Sequence, residues 1–147
     1  MGKMARDKGA RGEREVIDLL QIVVNRVYQS AYPNALNIEQ ITPQLKRTSS
    51  TQADGGGCDI CGIDWLAIEV KRCETLQLDA WWKQCTEQAR PCQMPVLIYR
   101  QNGRKWRARC YVQAAVGVLT VVVADLSFDD FSLYFAACLK QSLSRSS

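Results

Sequence analysis

Four side chains in this sequence, Glu13, Asp59, Glu69 and Lys71, are of the types that hold a cation beside a reacting group. The stretch Asp64–Arg72 reads DWLAIEVKR, a largely apolar run interrupted by Glu69 and Lys71. On an extended strand the side chains alternate, so Trp65, Ala67, Glu69 and Lys71 share one face. Leu66, Ile68 and Val70 share the other and read as buried. Glu69 and Lys71 then lie side by side, roughly 7 Å apart at Cα. A carboxylate and an ammonium on a core strand are costly unless they pair or bind something. A salt bridge at a strand end is one interpretation. Asp59 opens another. It follows GGGC and begins the preceding strand, so a short hairpin brings its carboxylate beside Glu69. Two carboxylates and an amine then converge behind a Gly-rich approach that leaves space for a ligand.

Glu13 is placed by a helix. From about Arg11 to Tyr28, Val16, Ile17, Leu20, Val24 and Val27 recur at helical spacing. At 100° per residue all of them fall within about 60° of Glu13. Glu13 thus sits on the apolar stripe near its N-terminal end, and Glu15 on the opposite, solvated face. An acid in a buried stripe needs a partner, and a metal ion shared with Asp59 and Glu69 would be one. A frayed first turn that leaves Glu13 in water is the alternative.

The remaining elements follow from periodicity and punctuation. Residues 32–57 carry Pro33, Pro43, a Ser/Thr run and three glycines, which predicts a long loop with a short strand or turn near Ile38–Leu45. Strands are expected at Cys58–Ile60 and Asp64–Arg72, joined by a turn at Cys61–Gly62. Leu78–Arg90 returns to helical spacing and stops before Pro91 and Pro95. Val96–Arg100 and Lys105–Val112 form a hairpin around Asn102–Gly103. A strand over Gly117–Ala124 and a helix over Asp129–Leu143, capped near Ser127 or Asp129, complete the order. The expected fold is α/β, a central mixed sheet flanked by helices. One domain over 1–147 is expected, with 1–7 and 144–147 flexible.

Composition narrows the function classes. Apolar residues make up 47% and charged residues 23%, enough for a real core. With no His, His-based catalysis and His metal ligands are excluded. No apolar run is long enough to span a bilayer, and no secretory signal opens the chain, so a cytoplasmic protein is expected. The seven Cys are then free thiols, most of them packing groups. Cys58 and Cys61, with Cys85 and Cys92, are a weak candidate for a zinc site, and Cys58-x-x-Cys61 for a redox switch. The net charge of +4 is mild, but Lys3 to Arg14 and Arg100 to Arg109 are basic clusters that suit a phosphate backbone. Lys8, Arg11 and Arg14 lie beside Glu13, Lys46 and Arg47 head the loop, and Arg72 follows Lys71. These six are the candidate phosphate contacts. Trp81 and Trp82, at helical spacing, read as core or dimer contacts rather than base-stacking groups.

Together, Asp59 in GGGCDI, the Glu69-Val70-Lys71 of IEVK and the N-terminal KGARGEREVIDLL resemble the PD-(D/E)XK nuclease superfamily, and within it the archaeal-type Holliday junction resolvases and their phage relatives. The similarity covers roughly Lys8 to Arg100. Cys58 stands where the pattern has Pro. The resemblance implies a restriction-endonuclease-like fold and a Mg²⁺ or Mn²⁺ site built from Asp59, Glu69, the backbone carbonyl of Val70 and Glu13. It implies that Lys71 orients or deprotonates the attacking water or stabilises developing charge. It gives Gln88 a supporting role, and it points to a mobile loop over Thr48–Gly57 in which Ser49 or Ser50 is the candidate hydroxyl. The activity implied is a structure-selective DNA endonuclease that resolves four-way junctions by paired nicks as a homodimer, in a phage or prokaryotic cell. A general repair or restriction-type nuclease and a non-catalytic DNA-binding module on the same fold are the alternatives.

Overall fold

A computed structural model describes residues 2–48, 58–114 and 120–146. Helix α1 (Lys3–Ala31) leads through the short α2 (Ile38–Ile41) to the strands β1 (Lys46–Arg47), β2 (Ile60–Cys61) and β3 (Leu66–Cys73). Helix α3 (Leu78–Gln88), strands β4 (Met94–Gln101), β5 (Arg107–Ala114) and β6 (Thr120–Ser127), and helix α4 (Phe128–Arg145) follow. The strands form one sheet in the order β1 to β6. Only β3 and β4 pair in parallel, and the other neighbours are antiparallel. A parallel pair needs a crossover rather than a tight turn, and α3 supplies it. The sheet is therefore mixed and flanked by helices, an α/β architecture of the restriction-endonuclease type.

The alternation of β3 sorts the layers. Leu66, Ile68 and Val70 face one core with Val16, Leu20 and Val24 of α1 and Phe131, Phe135 and Leu139 of α4. Fully burying each such side chain stabilises the fold by about 1.5–3 kcal/mol. The opposite face is covered by α3, where Trp81 and Cys85 pack on Leu97 and Tyr99 with Cys73 at the edge. Ala67, Glu69 and Lys71 belong to that second face by alternation. Trp65 does not share it, because the strand begins at Leu66 and Trp65 packs against the first core. Trp81 is core, and Trp82 meets Tyr111 edge-on with ring centroids 5.3 Å apart.

Several boundaries differ from expectation for physical reasons. Helix α1 begins at Lys3, well before Arg11. Its first turns are exposed and so carry no apolar period to detect. Ile38–Leu45 holds the helical turn α2 in place of a strand, closed by the Thr42 hydroxyl on the Ile38 carbonyl at 2.7 Å. Gln21 of α1 then clamps the next residues. Its Nε2 donates to the Pro43 carbonyl at 2.9 Å, and its Oε1 accepts from the Leu45 N–H at 2.8 Å. This dual bond fixes where β1 starts. Gly103 takes φ 74° in the expected hairpin turn. The Ser127 hydroxyl caps α4 by accepting from the Asp130 N–H at 3.1 Å. The last strand starts at Thr120, and 117–119 lie outside the described residues.

Candidate active site

Asp59 sits just before β2 and is held on both sides by its own backbone. Its N–H donates to the Ile68 carbonyl at 2.9 Å, and its carbonyl accepts from the Thr48 N–H at 2.9 Å. Its side chain then reaches β3, where Oδ2 accepts from the Val70 N–H at 2.8 Å. The N–H and C=O of one strand residue point to the same side. The Val70 carbonyl therefore faces the Asp59 side of β3 rather than β4.

Glu69 is 5% exposed. It is not sealed in apolar packing, because Lys71 Nζ stands 3.3 Å from its Oε1. Burial, and then the Asp59 charge, push the Glu69 carboxyl up to about 7, with Lys71 acting the other way. Asp59 is raised too, first by burial and against the pull of the Val70 N–H, with Glu13 adding to the rise. Two buried carboxyls, both raised by burial and by a neighbouring acid, are a site short of positive charge. Cys85 of α3 lies near them, and its thiol is pushed up to about 12 by burial and then by Glu69. That thiol is neutral at ordinary pH and serves as packing under the carboxylate.

Glu13 lies mid-helix rather than in a frayed turn, and its side chain is 17% exposed. Its carboxylate is taken by the Arg47 guanidinium, through Nε. Glu13 and Arg47 were read as a metal ligand and a phosphate contact, and here they bind each other. Among the described residues no three acidic or Cys side chains gather tightly enough to enclose a metal ion. Glu13 is close enough for its charge to raise both Asp59 and Glu69, but its own carboxylate is paired with Arg47. By the same observation the four-Cys zinc arrangement is not assembled, and Cys58, Cys61, Cys85 and Cys92 are free thiols.

Gln88 ends α3 half-buried, with its Oε1 buried and without a hydrogen-bond partner. Ser49 and Ser50 lie outside the described residues. Arg11, Arg14 and Lys46 are exposed, and Lys8 is partly exposed. Arg72 lies on the α1 face, away from Lys71, with its Cβ 3.9 Å from where a Gly12 Cβ would stand. The basic run from Arg100 to Arg109 is partly neutralised. Arg109 pairs with Asp125 and Asp79, and Arg100 with Glu15. Glu15 is not on a free solvated face, because it also accepts from Trp106 Nε1 at 3.0 Å, and Arg100 lies over that ring. Sequence spacing carries no signal for that long-range cluster. The only local hint is Gly12, whose missing side chain lets Trp106 approach.

An acid before β2, an acid and a lysine two residues apart on β3, and a helix-borne acid on a mixed sheet define the PD-(D/E)XK nuclease superfamily. Residues 4–121 match the family described as "Phage putative PDDEXK endonuclease". The chain belongs to that endonuclease family, and the match takes in Glu13, Asp59, Glu69 and Lys71. No curated protein matches the chain.

Proposed function

We propose that the chain is a divalent-metal-dependent DNA endonuclease that recognises branched DNA, resolving four-way junctions by paired nicks as a homodimer of one-domain subunits. The observation that carries the catalytic part is the buried Glu69, set against Asp59 and within 3.3 Å of Lys71. The donor set is all oxygen, which suits Mg²⁺ or Mn²⁺ over softer ions. Asp59, Glu69 and the Val70 carbonyl would hold the ion. When bound, such an ion lowers the pKa of water and neutralises charge on a scissile phosphate.

The protein side of the chemistry follows from the same geometry. Val70 N–H fixes the Asp59 carboxylate in orientation, so its other oxygen is the one left to bind. Glu69 is the acid that most needs a cation, and in its absence holds the Lys71 ammonium. Release of that ammonium lets Lys71 orient the attacking water or meet the charge that develops on phosphate. Glu13 joins the site only if Arg47 turns away, for example to a DNA phosphate. Lys8, Arg11, Arg14 and Lys46 provide further cations for the backbone, Arg72 borders the α1 side, and Gln88, whose Oε1 is buried without a hydrogen-bond partner, keeps the supporting role that the family resemblance gives it.

The test is cleavage of a four-way junction and a linear duplex in Mg²⁺ and in Mn²⁺. Paired symmetric nicks in the junction alone support the full proposal. Cutting both substrates alike reduces it to a general nuclease, and binding without cutting in either metal removes catalysis altogether. Asp59→Asn and Lys71→Ala are each expected to lower cleavage at least a hundredfold while leaving junction affinity within a few-fold. Full activity in either variant would overturn the site assignment.

A further inference from the structure

A second feature lies at the end of the sheet beyond the catalytic strand. A cleft of about 700 Å³ opens where β4 turns into β5, closed on one side by Leu19 of α1 and on another by the start of α4. Arg100, Arg104, Lys105 and Arg107 line it, against a single lining carboxylate among the described residues, Asp129. These cations are not equivalent. Arg100 is held by Glu15 and the Trp106 ring. Arg107 shares the Tyr99 hydroxyl, which also donates to Asp125. Arg104 and Lys105 are exposed and have no carboxylate partner among the described residues.

The cleft is in register with the catalytic strand. Lys71 on β3 is paired with Tyr99 on β4, and Tyr99 lines the cleft. The turn bearing Arg104 and Lys105 begins a few residues further along β4, roughly 10–15 Å from Lys71 at the strand rise. One DNA strand advances about 3.4 Å of axis per phosphate, so that span is roughly three or four nucleotides. The two unpartnered cations, Arg104 and Lys105, are adjacent exposed positions of one turn, with Arg100 and Arg107 on the strands either side, and several such charges suit a phosphate backbone. The Leu19 and Phe128 walls offer apolar surface to sugars and bases.

Resting on the nuclease reading, we propose that this cleft is a second DNA subsite, gripping the phosphate backbone a few nucleotides from the scissile bond through Arg104 and Lys105, with Arg107 behind them. It serves binding and register, and takes no part in bond breaking.

The test is equilibrium binding of a labelled four-way junction, in EDTA to prevent cutting, over a series of KCl concentrations. Each phosphate contact contributes about 0.9 to the slope of log affinity against log salt. Arg104→Ala/Lys105→Ala should flatten that slope by about 1.8 and weaken binding roughly tenfold at low salt. Both residues are exposed turn positions, so folding is not at stake. Asp129→Asn provides a gain that misfolding cannot mimic, because removing the one carboxylate lining the cleft should tighten binding about two- to threefold. A wild type that binds DNA, with a double variant of equal slope or an Asp129→Asn protein that binds no more tightly, overturns the subsite and leaves the nuclease reading standing. A wild type that binds no DNA overturns both.

Discussion

At the scale of single residues, the centre of the molecule is a carboxylate kept where it does not want its charge. Glu69 titrates near 7 in the fold against an ordinary 4.5. A folded-state value above the unfolded one means that the native protein binds more protons between those two pH values. Stability attached to this group is therefore fully present below about pH 4.5 and is lost as pH rises through about 7. Glu69→Gln removes the penalty. In EDTA its melting temperature should exceed wild type at pH 8, corresponding to roughly 1–3 kcal/mol, with the gain vanishing near pH 4.5. A variant less stable than wild type at pH 8 would show that the Lys71 pair outweighs desolvation, and the strained-carboxylate account would fail. Saturating Mn²⁺ should raise the wild-type melting temperature and leave that of Glu69→Gln nearly unmoved. That Glu69 and Lys71 lie together was legible in the sequence because charge stands out on an apolar strand whose alternation fixes direction, and that Asp59 meets this strand was legible from the short hairpin between them. The Arg47 grip on Glu13 was not legible, because two residues on different elements meet only through the clamp that Gln21 applies. The Glu15–Arg100–Trp106 cluster was hidden for the same reason.

At the scale of elements, the site depends on a short strand held by a tight turn. Strand β2 has only two residues, so its pairing energy is small, and Asp59 keeps its place through flanking backbone bonds. Gly62 closes the turn after it with φ 129°, and a Cβ there would stand 2.5 Å from the Gln44 carbonyl oxygen. Gly62→Ala is thus opposed by both conformation and space. A loss of roughly 1–3 kcal/mol is expected in denaturant unfolding. Faster exchange at the Val70 amide should accompany it, since that N–H is held only while Asp59 stays in place. Wild-type stability together with unchanged Val70 protection would mean the turn does not position the acid. The same elements show where sequence patterns speak. Helices that bury a stripe, α1 and α3, were visible through their period, and the hairpin through Asn102–Gly103. The short pieces α2, β1 and β2 were blurred, because four or two residues carry no period and tertiary bonds decide their form. The exposed first turns of α1 were missed because helix continuation there has no buried face to mark it.

At the scale of the whole molecule, the number of active sites limits what one chain can do. The described residues provide one Glu69–Lys71 pair, so on the proposed reading a single subunit would cut one strand per encounter. Symmetric nicks across a junction need two such sites related by a two-fold axis, which a closed homodimer supplies. If the chain resolves junctions as proposed, it should sediment at twice the 16.6 kDa chain mass. A mixing experiment tests the coupling directly. Wild-type chains exchanged with Lys71→Ala chains form hybrid dimers with one competent site. On the proposed reading, such hybrids should bind a junction normally, nick one strand and leave its symmetric partner intact. Singly nicked junctions should then accumulate at the expense of paired cuts, in proportion to the hybrid fraction. If subunits are shown to exchange and the mixture merely loses activity in step with dilution, with no rise in single nicks, the two cuts do not come from two subunits of one particle. A monomer that still produces paired symmetric cuts would point the same way, because one chain must then rebind and cut again.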